Sequence, residues 1–391
     1  MMSKLSCHLP SFLAVGLCLC SVEALQAGDP AKAIVLEEEA ISRHDTLTPY
    51  ADFRFRYEAD WDSVNSSGVP RDDRQRLRVR GRIGLKYQPT DELTFDVRGR
   101  TGDSHSQQSP HLTIHDFDGG DRNDFSGILD KYYVQYAKDG VSVWGGRNGF
   151  PFWKQNELFW DDDVTVTGAA LSVTPSIWDE SLTGTMGAFY LPDGGWELNG
   201  QMYAGQVKFV REIGGATLTL AEGFYFLDGE RGASHLRNGN GARDYAILGS
   251  QAELKGKVLG VPVALGADVY QNFKNYSALS NDPFTAANSE EDFGYVLSAR
   301  FGELSAPGDF QFGYYYAWLE TFAVNGSYAE DDWERWGSAT QTDSSDLHGH
   351  EFRLTYRAAK KLDIMARLYA VDAITSQQDG MRFRLDFNYK F

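Results

Sequence analysis

The sequence predicts an all-β protein, namely a transmembrane antiparallel β-barrel of about 16 strands with an inward-folded third external loop. Three observations favour this class. Many segments alternate apolar and polar side chains with a period of two, as strands with one oily face do. Short connections alternate with long and mostly acidic ones. The final segment, from Phe383 to Phe391, places an apolar residue at every second position.

The first 27 residues have the layout of a secretory signal peptide. Lys4 supplies a positive charge, and residues 12–20 form a short apolar run that is followed by small and polar residues. Cleavage fits best after Ala27, with Ala24 as a second candidate. The run is too short to cross a membrane as a helix, which needs about 20 residues.

We therefore expect three parts, a signal peptide at 1–27, a periplasmic N-terminal segment at 28–49 and an outer-membrane barrel at 50–391. A lipid anchor is the less favoured alternative, because a leucine rather than a small residue precedes both Cys18 and Cys20. All three cysteines, including Cys7, lie in the predicted signal. The barrel must then be stabilised by closure and burial rather than by disulfides.

The amino-acid composition limits the kinds of partner that the protein is expected to bind. A net charge of -18 argues against nucleic acid as a ligand. The 40 glycines and the 14% aromatic content suit tight strand packing and aromatic belts at the two membrane interfaces. The expected partners are outer-membrane lipid, the barrel assembly machinery, and small solutes or ions, and a homotrimer is left open.

The period-two segments and the connections between them give a strand map. Even-numbered links such as 88–91, 138–139 and 359–360 are short, as periplasmic turns are, whereas most odd-numbered links are long. The predicted strands lie near 50–58, 74–87, 92–101, 129–137, 140–146, 165–173, 182–190, 198–209, 215–226, 245–255, 261–271, 293–303, 309–320, 349–358, 361–371 and 381–391.

The second predicted strand is apolar on one face, with Leu77, Val79 and Ile83, and strongly basic on the other. A cation facing lipid near the bilayer centre would cost about 2 to 4 kcal/mol, so the basic face must point into a wet lumen. Closure places the last strands beside the first. We therefore predict a continuous cationic wall of the pore, formed by Arg54, Arg56, Arg76, Arg78, Arg80, Arg82, Arg98, Arg100, Arg353, Arg357, Arg382 and Arg384.

The third external link, residues 147–163, is unusually aromatic for a loop that would meet only water. We expect it to fold into the channel and to bring its carboxylates toward a constriction, so that a transverse field forms between them and the basic wall. Packing on the rim, or simple solvation by the carboxylates, is the alternative. The predicted constriction residues are Phe152, Trp153, Glu157, Trp160, Asp161, Asp162 and Asp163.

The C-terminal strand carries an assembly signal in this interpretation. Phe387, Tyr389 and the terminal Phe391 alternate with polar residues, a pattern that resembles the last strand of proteins delivered to the outer-membrane assembly machinery. A soluble β-sandwich or a lipocalin-like barrel is the alternative, but it explains neither the terminal aromatic residue nor the rhythm of the loops.

Two other patterns are weaker. The acidic loop 116–124 has oxygen ligands and glycines, but its spacing does not match a calcium-binding EF loop, so solvation is favoured over calcium. His348 and His350 do not make a metal site by themselves, and we expect them at the solvated rim. No cofactor and no metal is predicted. No catalytic constellation fits the strand map either, so we expect no enzyme.

Three stretches resemble the putative porins of Gram-negative bacteria: RLRVRGRIGLKY, DELTFDVRGRTGD, and GGRNGFPFWKQNELFWDDDVTVTGAAL from Gly145 to Leu171. The segment GFPF departs from the plain Asn-Pro-Phe turn of that family. The resemblance implies a passive outer-membrane channel for small hydrophilic solutes, with a preference for anions left open. FRFRYE at 53–58 also resembles alginate-export barrels, which makes a conduit for an acidic polysaccharide the alternative function.

Overall fold

In the computed structural model the chain forms one antiparallel sheet that closes on itself. The structure describes residues 46–103, 108–119, 125–178, 181–192, 198–229, 241–277, 282–333 and 344–391. The predicted signal peptide at 1–27 and the part of the periplasmic segment up to residue 45 lie outside these ranges. The barrel begins at Thr46 rather than at residue 50, because the first strand continues to pair with the second down to Gln88.

Seventeen strands lie in the described ranges, and each pairs antiparallel with its neighbours. They are β1 (Thr46–Val64), β2 (Arg74–Gln88), β3 (Leu93–Thr101), β4 (Leu112–Asp116), β5 (Gly127–Lys138), β6 (Val141–Gly149), β7 (Thr165–Val173), β8 (Leu182–Pro192), β9 (Leu198–Ile213), β10 (Ala216–Asp228), β11 (Tyr245–Val258), β12 (Val261–Asn272), β13 (Phe293–Gly302), β14 (Phe310–Leu319), β15 (Leu347–Ala359), β16 (Leu362–Ala373) and β17 (Asp379–Lys390).

The barrel has sixteen strand positions, because β3 and β4 share one position in the sheet. Both pair with β2, β3 along its periplasmic half and β4 along its external half. The ring closes between β1 and β17, where Phe55 lies opposite Phe387. Closure pairs the first strand with the last, so the described sheet forms a ring, as a protein surrounded by lipid requires. The predicted class, a closed antiparallel barrel of sixteen strands, is confirmed.

Helical structure is confined to the loops in the part of the chain that the structure describes. A single turn of 3-10 helix spans Ser176–Trp178, and a short α-helix, α1, spans Pro283–Ala287. Asp282 caps α1 by accepting hydrogen bonds from the backbone of Phe284 and Thr285 at 3.1 and 3.3 Å. No described helix is both long and apolar enough to cross a membrane.

The two faces of the sheet differ in chemistry. On β2, Ile83 is 71% exposed on the outer face, whereas Arg80 on the opposite face is buried. The same alternation puts Phe387 and Tyr389 of β17 on the outer face, and the ring of Tyr389 packs edge-on against Phe391 at 4.8 Å. The outside is therefore apolar and rimmed by aromatic rings, as a lipid-facing barrel needs.

The charged wall and the inward loops

The arginines of the predicted basic wall lie on neighbouring strands of the sheet. On β1 and β2, Arg54 lies opposite Arg80 and Arg56 lies opposite Arg78. Arg98 and Arg100 of β3 continue the row beyond Arg82. Arg382 and Arg384 of β17 join it across the closure, and Arg353 and Arg357 of β15 lie farther round on the same inner face.

The wall is nevertheless not the continuous cationic ladder that we expected, because carboxylates from the same strands alternate with the guanidinium groups. Asp386 accepts a hydrogen bond from Arg56 at 2.6 Å, and Glu58 lies 2.7 Å from Arg384. On the second strand Arg82 bonds to Asp52 at 2.7 Å. Rows of like charges are unfavourable in a closed interior, and these carboxylates neutralise them locally.

All but one of the remaining wall residues follow the same rule. Each has a carboxylate partner within 4.0 Å: Arg76 and Arg78 with Glu58, Arg80 with Asp52, Arg98 and Arg100 with Asp130, Arg353 with Glu351, Arg357 with Asp363, and Arg382 with Asp60. Arg54 alone has no carboxylate partner within that distance in the described part of the chain.

The expectation that the whole wall faces open water is also wrong. Arg56, Arg382 and Arg384 are at most 2% exposed. The cover comes from two external loops, through residues 150–164 of one and the described residues 320–333 and 344–346 of the other, and both carry carboxylates. Burying a guanidinium group is tolerable only when such partners replace its water.

The loop between β6 and β7, residues 150–164, crosses the barrel interior. The backbone N–H of Trp153 donates to Gln206 of β9 at 2.8 Å, and Gln155 donates to the carbonyl of Ala252 on β11 at 3.0 Å. At the other end of the loop, Asp163 lies 2.7 Å from Arg82 of β2. Strands β9 and β11 lie across the barrel from β2, so a segment that touches both must run through the inside.

Aromatic side chains hold this loop against the far side of the barrel. Phe159 stacks on Tyr270 of β12 at 5.0 Å, and Phe150 stacks on Trp160 at 4.6 Å. Phe152 is also buried in this cluster, against Tyr225. An apolar cluster therefore fills part of the interior beside β9 to β12, while the side near β1 and β2 is lined by charged residues.

The sequence did not lead us to the second inward loop, the one between β14 and β15. Its Tyr328 stacks on Trp160 at 5.1 Å, and the carbonyl of Tyr328 accepts a hydrogen bond from the backbone of Asp161 at 2.7 Å. Asp332 forms an ion pair with Arg384. The signal was present, because a run of three acidic residues lies beside aromatic residues from Tyr328 to Trp333, as it does in the first loop.

Buried carboxylates where the two loops meet differ in their affinity for protons. Burial raises the pKa of Glu157, Asp161 and Glu330, and repulsion by neighbouring carboxylates raises it further. Burial acts in the same direction on Asp163, but Arg80 and Arg82 outweigh it and lower its pKa to about 2. Asp163 is thus ionised against the wall, whereas the loop junction favours protonated carboxyls.

Between the loops and the wall remains a cavity of about 260 Å³. It is bounded by Arg54, Arg82, His111, Asp162, Asp163 and Asn388, among others. We expected the loop carboxylates and the basic wall to face each other across an open gap. Asp163 instead contacts the wall directly and forms ion pairs with it. In the described part of the chain, Asp162 forms no ion pair with the wall. Its side chain is 66% exposed and forms an ion pair with Lys154 of the same loop.

The two weaker patterns also have definite places. Asp116 accepts hydrogen bonds from the backbone of residues 118 and 119 at 3.1 Å, which makes it a turn residue, and residues 120–124 lie outside the described ranges. His348 stacks on Trp318 at 5.2 Å, and His350 bonds to Tyr314 at 2.9 Å, both on the lipid-facing surface. Both lie near the end of β15 that follows the link from β14. No cluster of metal-ligating side chains occurs in the described residues.

A comparison with known protein families gives a match to the part of the chain that contains β1 to β8 and about half of β9. Residues 44–207 match a family described as "Putative porin". The resemblance to the putative porin family is confirmed. The match includes the basic wall of β1 to β3 and the inward loop 150–164, and it points to an outer-membrane porin, a channel rather than an enzyme.

Solved structures agree on the fold. The high-pH structure of Pseudomonas putida OprB superposes with a TM-score of 0.57 at 11% identity, covering 93% of this chain and 96% of that chain. OmpF of Salmonella typhi, in complex with daunomycin, gives a TM-score of 0.51 at 14% identity, covering 88% and 97%. At such identities the likeness shows the fold alone. A comparison with curated sequences gave no match.

Proposed function

We propose that this porin lets small hydrophilic solutes and ions diffuse passively through the space between its charged wall and its two inward loops. The single observation that carries the proposal is the cavity of about 260 Å³ lined on one side by Arg54 and Arg82 and on the other by Asp162 and Asp163. Charged, hydrated linings favour ions and polar solutes over apolar ones.

Selectivity for small over large solutes follows from the loops in this proposal. The apolar cluster around Phe159 and Trp160 fills part of the barrel interior and so narrows the path. The remaining path runs beside Arg82 and Asp163. Because these groups form ion pairs, we expect a weak overall preference between simple cations and anions rather than strong anion selectivity.

We base the proposed export and membrane location of the protein on its sequence. A signal peptide at 1–27 would direct export, and the terminal strand with Phe387, Tyr389 and Phe391 would engage the barrel assembly machinery. A homotrimer in the outer membrane is part of the same proposal. The carboxylate partners of the wall disfavour the alternative of an acidic polysaccharide conduit, since such a polymer needs free guanidinium groups.

The test is electrical. Purified protein inserted into a planar lipid bilayer in potassium chloride should give discrete, ohmic current steps. A gradient of the salt should then give a small reversal potential. Protein that inserts, as shown by protection of the barrel from protease, but gives no current steps would overturn the proposal.

A further inference from the structure

Arg54 differs from the other arginines of the wall. Its Nε donates to Asn388 Oδ1 at 2.5 Å, and no carboxylate lies within 4.0 Å of it among the described residues. The two terminal nitrogens of this guanidinium group therefore have hydrogen-bonding capacity to spare. Arg54 also lines the cavity between the wall and the loops, where a solute can reach it.

His111 supplies a second unsatisfied group in the same cavity. Its Nε2 is buried and has no hydrogen-bond partner in the described part of the protein. Burial and the neighbouring guanidinium groups of Arg56 and Arg78 hold its pKa well below the usual value. The ring is therefore neutral and can offer one N–H donor. Buried polar atoms without partners are uncommon and call for an explanation.

We propose that Arg54 and His111 together form a subsite for a single carboxylate group of a small solute. This inference rests on the proposed function and names the class of solute that the channel would favour. One guanidinium group without a fixed counterion matches one negative charge, and a planar carboxylate matches the fork of its donors. A neutral histidine adds a hydrogen bond without adding charge.

The surroundings of the subsite select a monoanion over a dianion. Asp52 and Asp163 lie on the same cavity and are held there by Arg80 and Arg82. These fixed carboxylates repel additional negative charge, so a second charge close to Arg54 is disfavoured. Butyrate should therefore bind better than hydrogen phosphate.

The experiment measures how butyrate reduces the single-channel potassium chloride current of the full-length protein. We expect butyrate to reduce the current in a saturable way. Arg54→Gln should raise the half-blocking concentration by about tenfold, which is ~1.4 kcal/mol. His111→Gln should weaken block while leaving the charge unchanged. Lys138→Gln removes the same charge at an exposed periplasmic position and is the matched control.

The outcomes separate the subsite from the channel. Equal half-blocking concentrations for the wild type and Arg54→Gln, with both conducting, would overturn the subsite and leave the porin function intact. Stronger block by hydrogen phosphate at pH ~8 than by butyrate would overturn the preference for a monoanion. A wild-type protein that conducts no current would instead refute the proposed function on which the subsite rests.

Discussion

Replacing Asp163 by asparagine should loosen the inward loop from the basic wall. The carboxylate lies 2.7 Å from Arg82 and 3.5 Å from Arg80, and the residue is only 9% exposed. A carboxyl whose pKa falls from 3.8 to about 2 is stabilised in its ionised form by roughly 2.5 kcal/mol. Loss of that interaction should raise the population of undocked loops by up to about 60-fold.

The loop should not leave the barrel completely, because the aromatic contacts of Phe159 and Trp160 remain. We therefore expect larger single-channel conductance, more current noise, and a reversal potential shifted toward anions, since Arg80 and Arg82 lose a counterion. Asp162→Asn is the matched control, because it removes the same charge from a residue that bonds to Lys154 instead of to the wall. If both variants behave alike, the reasoning from the ion pair to the loop position is refuted.

Three further predictions concern the same path. Replacing Arg78, Arg80 and Arg82 together with glutamine should shift the reversal potential toward cations, and an unchanged potential would remove them from the conduction path. Deleting residues 150–160 should raise single-channel conductance, and no increase would place the loop elsewhere. Lowering the pH from ~8 to ~5 should reduce conductance, because the raised pKa of Glu330 means that proton binding favours the docked loops. Glu330→Gln should weaken that pH dependence of the current, because Glu157 and Asp161 also have raised pKa values.

Much of the barrel could be predicted because its signal is local. Most strands carry their own period-two pattern of apolar residues. Every predicted strand therefore has a counterpart at its predicted place in the chain. Strand ends were less predictable. β1 extends to Val64 because its external half pairs with β2 and β17 beyond the apolar pattern that marked it.

The electrostatics of the lumen were harder to predict, although part of the signal was local. Glu58 and Asp60 follow Arg54 and Arg56 at the same alternate positions, so they had to share the inner face. The positions of the arginines alone predicted a cationic ladder, whereas the structure pairs these arginines with carboxylates. The partner of Arg384 on the loop after β14 could not be assigned, because long loops carry no periodicity that fixes their path.

The position of the loop in the channel can be tested most directly at Asp162, whose side chain is 66% exposed. Residues 28–391 contain no cysteine, so Asp162→Cys would carry one reactive thiol after cleavage of the predicted signal peptide. Attaching a positively charged thiol reagent to it during a single-channel recording should produce a stepwise fall in conductance. Complete labelling with no change in current would contradict a loop that lies inside the conducting barrel.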